Sequence, residues 1–139
     1  MSEIQKDLPT FLAALTAGRD PIGLVVTAQD FSLPRDLRLA VIDVDAQTDG
    51  ETAVEQFLAC AKSGQWCAVN LLDGSLPPAL YNQLRNVAAM GHLQINRGTE
   101  VEDVAWPIAS RIVVTVAATD VDKVPIPTFL SLFGPILHA

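Results

Sequence analysis

The chain has 139 residues, of which half are hydrophobic and 18% are charged, and its formal net charge is -7. This length suits one domain over residues 1–139, and the acidic balance is the opposite of the basic surface that nucleic-acid binding requires. No run approaches about 18 consecutive apolar residues, and Glu3 and Asp7 lie where a signal peptide would be basic and then apolar, so we expect a cytoplasmic protein without a membrane segment.

The first part of the chain predicts one helix followed by two strands. Residues 7–18 form a predicted short helix with Asp7 as its N-cap and Gly18 as its end. Two β-branched runs, at 21–28 and 37–45, are continuous enough to be buried strands. Strands of this kind are typical of a sheet that is covered on both faces.

The second part continues the alternation. A helix is predicted from Thr48, which has capping-box spacing to Glu51, to Gly64. The remaining predicted elements are a strand at 65–73, a helix at 76–91 capped by Ser75, a hairpin at 92–103 that turns at Arg97 and Gly98, a strand at 110–119 and a short helix at 128–134. The sequence therefore predicts a single α/β domain with one layer of mainly parallel sheet flanked by helices.

The cysteines and histidines indicate no catalytic or metal site. Cys60 and Cys67 have no second Cys pair or His nearby, so we expect two buried thiols rather than a disulfide or a zinc site. His92 and His138 have no Ser, Cys or carboxylate at catalytic spacing and are expected to face solvent. We expect no cofactor.

From Gly64 onward the chain resembles the second half of an AAA-type P-loop ATPase core of the MoxR, midasin and dynein branches. The resemblance rests on three stretches in order: "AVNLLDGSLPPALYNQLRNVAAMGHLQINRG", "SRIVVTVAAT" and "VPIPTFLSLFG". It implies a P-loop NTPase-like fold with a β-hairpin insertion after the second long helix. Because the chain ends where the helical lid of such an ATPase would begin, we expect no lid.

The residues that carry the chemistry of that family are missing here. The segment "QDFSLPRDLRL" after the first strand has no Gly and no Lys to hold phosphate. Asp73 has the position linked to magnesium, but Gly74 replaces the Glu that activates water. Thr115 is the nearest hydroxyl to the sensor position at Ala117, and Leu132 replaces the arginine finger. The resemblance therefore implies a domain without ATP hydrolysis and without a phosphate site.

An alternative function uses the acidic residues at the strand ends. Asp43, Asp45 and Asp73 end neighbouring predicted strands, Thr115 or Thr119 lies on the fourth strand, and Lys123 comes soon after. The strand-end carboxylates could hold magnesium and accept a phosphoryl group, as in receiver or haloacid-dehalogenase-like domains. Thr48 comes one residue too late for the phosphatase motif, and only one helix separates Asp43 from Asp73, which fits a receiver poorly. The simpler interpretation is that Asp73 and Gly74 form a turn, in which Asp binds local N–H groups and Gly takes a positive φ.

The C-terminal segment predicts contact with a protein partner. Apolar side chains are dense in "PIPTFLSLFGPILHA", and a short helix can bury only one stripe of them in its own core. We therefore expect a protein interaction or regulatory module that can form a homodimer. Its interface is expected to include Phe129, Leu132, Phe133 and Ile136.

Overall fold

The computed structural model describes residues 3–5, 7–27, 39–124 and 129–138. The described strands are β1 (Glu3–Gln5), β2 (Ile22–Thr27), β3 (Leu39–Val44), β4 (Trp66–Leu71), β5 (His92–Arg97), β6 (Glu100–Ala105), β7 (Ile112–Ala117) and β8 (Pro135–His138). Six of them form a parallel sheet in the order β1-β8-β2-β7-β4-β3, and β5 and β6 form a separate hairpin. The helices are α1 (Leu8–Ala17), α2 (Gly50–Ser63) and α3 (Pro78–Met90). The predicted α/β class is confirmed.

Alternating side chains of the parallel strands build two apolar layers, because successive residues of a strand point to opposite faces. On one face, α1 places Phe11 and Leu15 against Val25, Val113 and Leu137. The larger layer, on the other face, packs the sheet against α2, α3 and the hairpin. It includes, among others, Leu24, Ile42, Phe57, Val69, Leu84 and Val114. None of the described helices is long and apolar enough to span a membrane.

The helix ends follow from local chemistry, with two corrections to the predicted caps. Asp7 caps α1 as predicted, since its Oδ1 accepts from the N–H of Thr10 at 2.8 Å. The cap of α2 is Asp49 rather than Thr48, and the residue before α3 is Pro77, which makes no side-chain cap bond, rather than Ser75. Both long helices end, as predicted, at a glycine in the left-handed region, Gly64 or Gly91.

The last turn of α1 is held by the guanidinium of Arg111, which precedes β7. This group donates to the carbonyls of Leu15, Thr16 and Gly18 at 2.9, 3.2 and 3.4 Å. The last carbonyls of a helix have no partner within the helix, and a cation there also complements the helix dipole. Arg111 therefore fixes the helix on this face to the start of a central strand.

The hairpin leaves the end of α3 and is anchored on α2. Its turn lies between Arg97 and Glu100, close to the predicted position. The buried ring of Trp106 stacks on Phe57 with centroids 5.1 Å apart, and its Nε1 donates to the carbonyl of Ser110 at 3.0 Å. Arg97 reaches back to Glu55 of α2 at 2.6 Å. Trp106 and Arg97 thus anchor the hairpin on α2.

The C-terminal segment differs from the prediction. A 3-10 helix at Phe129–Leu132 replaces the expected short α-helix, and β8 then enters the sheet between β1 and β2. Leu132, Phe133 and Ile136 are buried in the core of their own chain, at 6%, 3% and 8% exposure. The side chain of Phe129 lies outside what the structure describes. The three described side chains are therefore covered within their own chain, at positions where the sequence predicts contact with a partner.

Candidate functional site

A cavity of about 530 Å³ lies at the carboxyl edge of the sheet, where ligands bind in open α/β folds. It is formed by the turn after β3, the start of α2 and the segment between β4 and α3. Its lining includes Asp45, Thr48, Gly50, Ser75, Pro78 and Lys123. This cavity is the best candidate for a site, so the position of each polar group around it decides what chemistry is available.

Asp73 joins the two turns that border the cavity. Its Oδ1 accepts from the N–H of Ser75 at 2.9 Å, and its Oδ2 accepts from the N–H of Ala46 at 3.0 Å. These bonds, first those with Ser75 and then that with Ala46, hold the pKa of Asp73 below its usual value. Each carboxylate oxygen accepts one bond from a different turn, so Asp73 acts as a structural link between the β3–α2 and β4–α3 turns.

Asp45 and Thr48 close the turn after β3. Oδ1 of Asp45 accepts from the N–H of Gln47 at 2.8 Å and from Oγ1 of Thr48 at 3.1 Å. The hydroxyl of Thr48 in turn accepts from the N–H of Asp45 at 2.9 Å. These reciprocal bonds explain why Thr48 is not the cap of α2, since its hydroxyl is already bonded to Asp45 in the turn before the helix.

Asp43 belongs to a different polar chain. Its Oδ1 accepts from Nδ2 of Asn70 at 2.9 Å, and Oδ1 of Asn70 accepts from the hydroxyl of Thr115 at 2.7 Å. The three residues are level with one another on β3, β4 and β7. The sequence places Asp43 and Thr115 in one group of strand-end residues, but that group does not include Asn70. The signal was available, because all three polar residues interrupt apolar strands near their carboxyl ends.

The three acidic candidates are therefore not brought together as one ligand set. Asp43 pairs with Asn70, whereas Asp45 and Asp73 bind backbone groups of the turns. Over the described ranges, no group of three or more His, Cys, Asp or Glu side chains could hold a metal ion. The geometry in this part of the chain provides turn formation rather than carboxylate coordination.

Gly74 packs directly against the segment that follows β7. Its φ is +82°, and a Cβ at this position would lie 2.7 Å from the carbonyl oxygen of Asp120 and 3.0 Å from Cβ of Lys123. Nζ of Lys123 bonds Oδ1 of Asp120 at 2.8 Å, which raises the pKa of Lys123. Only glycine fits here without displacement, because both the backbone angle and the space exclude a side chain.

Two predictions from the sequence concern residues that lie away from the cavity. Cys60 and Cys67 are both buried and unbridged, as predicted. His92 is only partly exposed and has a carboxylate partner that its sequence neighbours do not reveal, since its Nδ1 lies 2.5 Å from Oδ1 of Asp103 across the hairpin. The prediction that His92 has no carboxylate partner was therefore wrong, because antiparallel pairing brings residues that are distant in sequence close together.

A scan against models of known protein families gave no match to this chain, and a search of curated proteins gave none either.

The two bonds of Asp73 make stability depend on pH. Because its folded-state pKa lies below the unfolded value, the carboxylate contributes stability above about pH 4, and this contribution is lost as the pH falls through the folded-state pKa. We expect Asp73→Asn to lower the melting temperature at pH 7 and to have progressively less effect towards pH 2. Thermal unfolding of both proteins across this range measures the difference. An effect of Asp73→Asn that is the same at every pH would contradict the role of the charged form.

Proposed function

We propose that this chain is an AAA-type ATPase-like domain that has lost catalysis and serves as a protein interaction or regulatory module. The order of elements supports the proposal, since β4, α3, the hairpin and β7 follow one another as the resemblance implies. In the parallel sheet β2 lies between β7 and β8, and β3 lies at the edge.

The observation that carries the loss of catalysis is the environment of Gly74. In the family, the residue after the strand-end Asp is the Glu that activates water. Here a glycine with φ of +82° has the carbonyl of Asp120 against it, so a Glu in this backbone would collide with the segment after β7. This backbone therefore has no room for the side chain that the family has here.

The neighbouring polar groups support the same conclusion. Asp73 uses both oxygens to hold turns, and Lys123 is paired with Asp120 rather than pointing alone into the cavity. A phosphate-binding site would need donors that are free to meet the ligand. The cavity instead has turn residues, and at the N-terminus of α2 the N–H of Thr52 already bonds the carboxylate of Asp49.

Calorimetric titration with magnesium-ATP tests the proposal. We expect no saturable heat in the micromolar range and no phosphate release, because the Lys, Glu and Arg that bind and transfer phosphate are missing from their motifs. Magnesium chloride alone serves as a second titrant and is expected to leave the melting temperature unchanged, whereas a metal bound by the native state would raise it.

Matched variants make both titrations decisive. Saturable ATP binding that is lost in Asp73→Ala would restore a nucleotide function. A magnesium-dependent rise in melting temperature that disappears in Asp43→Asn or Asp73→Asn would favour the phosphoryl-transfer alternative instead. Circular dichroism of each variant at the titration temperature checks that the variant is folded. A loss of binding in a folded variant then reports the loss of the site and not of the fold.

A further inference from the structure

Strand β3 forms one edge of the parallel sheet. The N–H of Leu72 bonds the carbonyl of Val44 at 2.8 Å, so the backbone groups of Val44 point towards β4. Because these groups alternate along a strand, those of Leu39, Val41 and Asp43 point away from the sheet. Among the described residues, no strand pairs with this outer edge of β3.

The centre of this edge is also apolar and accessible. The Val41 side chain is 60% exposed, although it lies in the middle of a strand whose neighbours Ile42 and Val44 are buried. An exposed strand edge with an apolar centre is a template for pairing with another chain, and proteins usually protect such edges with Lys, Pro or bulges. Between Leu39 and Val44 neither Lys nor Pro occurs, and the one charged residue is Asp43.

We infer that the outer edge of β3 pairs in antiparallel fashion with β3 of a second copy of this chain, about a two-fold axis at Val41. This register places Val41 opposite Val41 of the second copy and Leu39 opposite Asp43. All three outward residues then exchange backbone hydrogen bonds, about six in total, since each such pair contributes two. No like charges face each other, and a two-fold interface needs a self-complementary surface of this kind.

The outer edge of β6 is the other long strand edge without a partner strand in the described structure, and it is less suited to symmetric pairing. In the hairpin, the N–H of Trp106 bonds the carbonyl of Gly91, so by alternation Val101, Asp103 and Ala105 turn their backbone groups outward on β6. Symmetric pairing about the middle of β6 would place Asp103 opposite Asp103, or Glu102 opposite Glu102. Like charges directly opposite each other destabilise a strand pair. Self-association therefore favours β3 over β6.

The inference goes beyond the proposed function, because a domain that hydrolysed ATP could pair through the same edge. It also replaces the C-terminal interface expected from the sequence, whose described side chains are buried within one chain. A continuous sheet across the two-fold axis would join the two copies through backbone hydrogen bonds.

Light scattering coupled to gel filtration tests this edge with charge substitutions. The wild-type chain is expected to approach twice its mass of 14.9 kDa at high micromolar concentration. Val41→Lys and Val41→Glu should each give a monomer, because each places like charges together at the axis. An equal mixture of the two variants should regain the dimer mass, since Lys then faces Glu.

Val101→Lys on β6 is the matched control, because Val101 is 58% exposed and also lies on a free edge. This variant should keep the wild-type mass. A wild-type monomer at every concentration would overturn the inference, as would a dimer that persists in both Val41 variants. Thermal unfolding of each variant confirms that loss of the dimer is not loss of the fold.

Discussion

Gly74→Ala is expected to destabilise the chain by about 2–5 kcal/mol in free energy of unfolding. The backbone angle accounts for about 1–2 kcal/mol, because a residue with a Cβ is disfavoured in the left-handed region. The contact with the carbonyl oxygen of Asp120, at 2.7 Å from the added Cβ, contributes about 1–3 kcal/mol more, as other overpacked buried positions do. Urea denaturation measures the sum.

Gly98→Ala separates the two contributions. Gly98 has a similar φ of +77°, but nothing lies within 4 Å of a Cβ added there. We expect this control to lose only the cost of the backbone angle. If Gly74→Ala is no more harmful than Gly98→Ala, the segment after β7 does not press on Gly74, and the main support for the loss of catalysis is removed.

Phe11→Ala is the second large effect, with an expected loss of about 3–5 kcal/mol. The Phe11 ring is fully buried between α1 and the sheet, and it covers Gly23 of β2. A Cβ at Gly23 would lie 2.6 Å from Cζ and 3.0 Å from Cε2 of this ring. The contact therefore depends on the presence of a large residue on the helix and the absence of one on the strand.

A double-mutant cycle measures this dependence. Gly23→Ala alone should cost about 1–3 kcal/mol, because the buried ring cannot easily move away. In the Phe11→Ala background the added methyl group enters the space that the ring has left, so the double variant should lose less than the sum of the single variants. Strict additivity would show that Gly23 and Phe11 are not in contact.

Much of the fold could be predicted because local chemistry and tertiary position agree. The helix α3 is an example, since Pro78 suits its first turn, Leu80 and Leu84 share its buried face, and Gly91 supplies its left-handed end. β8 could not be predicted, because "PILH" is short, begins with Pro and has no clear period. This segment is a strand because it pairs with β1 on one side and β2 on the other, and its local sequence does not reveal these partners.

The candidate site was predictable to a similar extent. The sequence predicted the turn at Asp73 and Gly74, and the structure confirms both the carboxylate bonds and the positive φ. It could not reveal that the N–H of Ala46 is the second partner of Asp73, or that Asp120 lies against Gly74, because both contacts join separate loops. Such contacts depend on the order of the strands.

The position of β8 has a consequence for how the chain folds. The last described strand lies between the first two, and it pairs with residues 3–5 on one side and with β2 on the other. Closing this part of the sheet requires contacts that span most of the chain, and long-range contacts of this kind slow folding. During synthesis, β2 would have only β7 as its neighbour until Pro135–His138 has emerged from the ribosome. Final assembly of the sheet would then follow the emergence of β8 rather than completion of the first half of the chain.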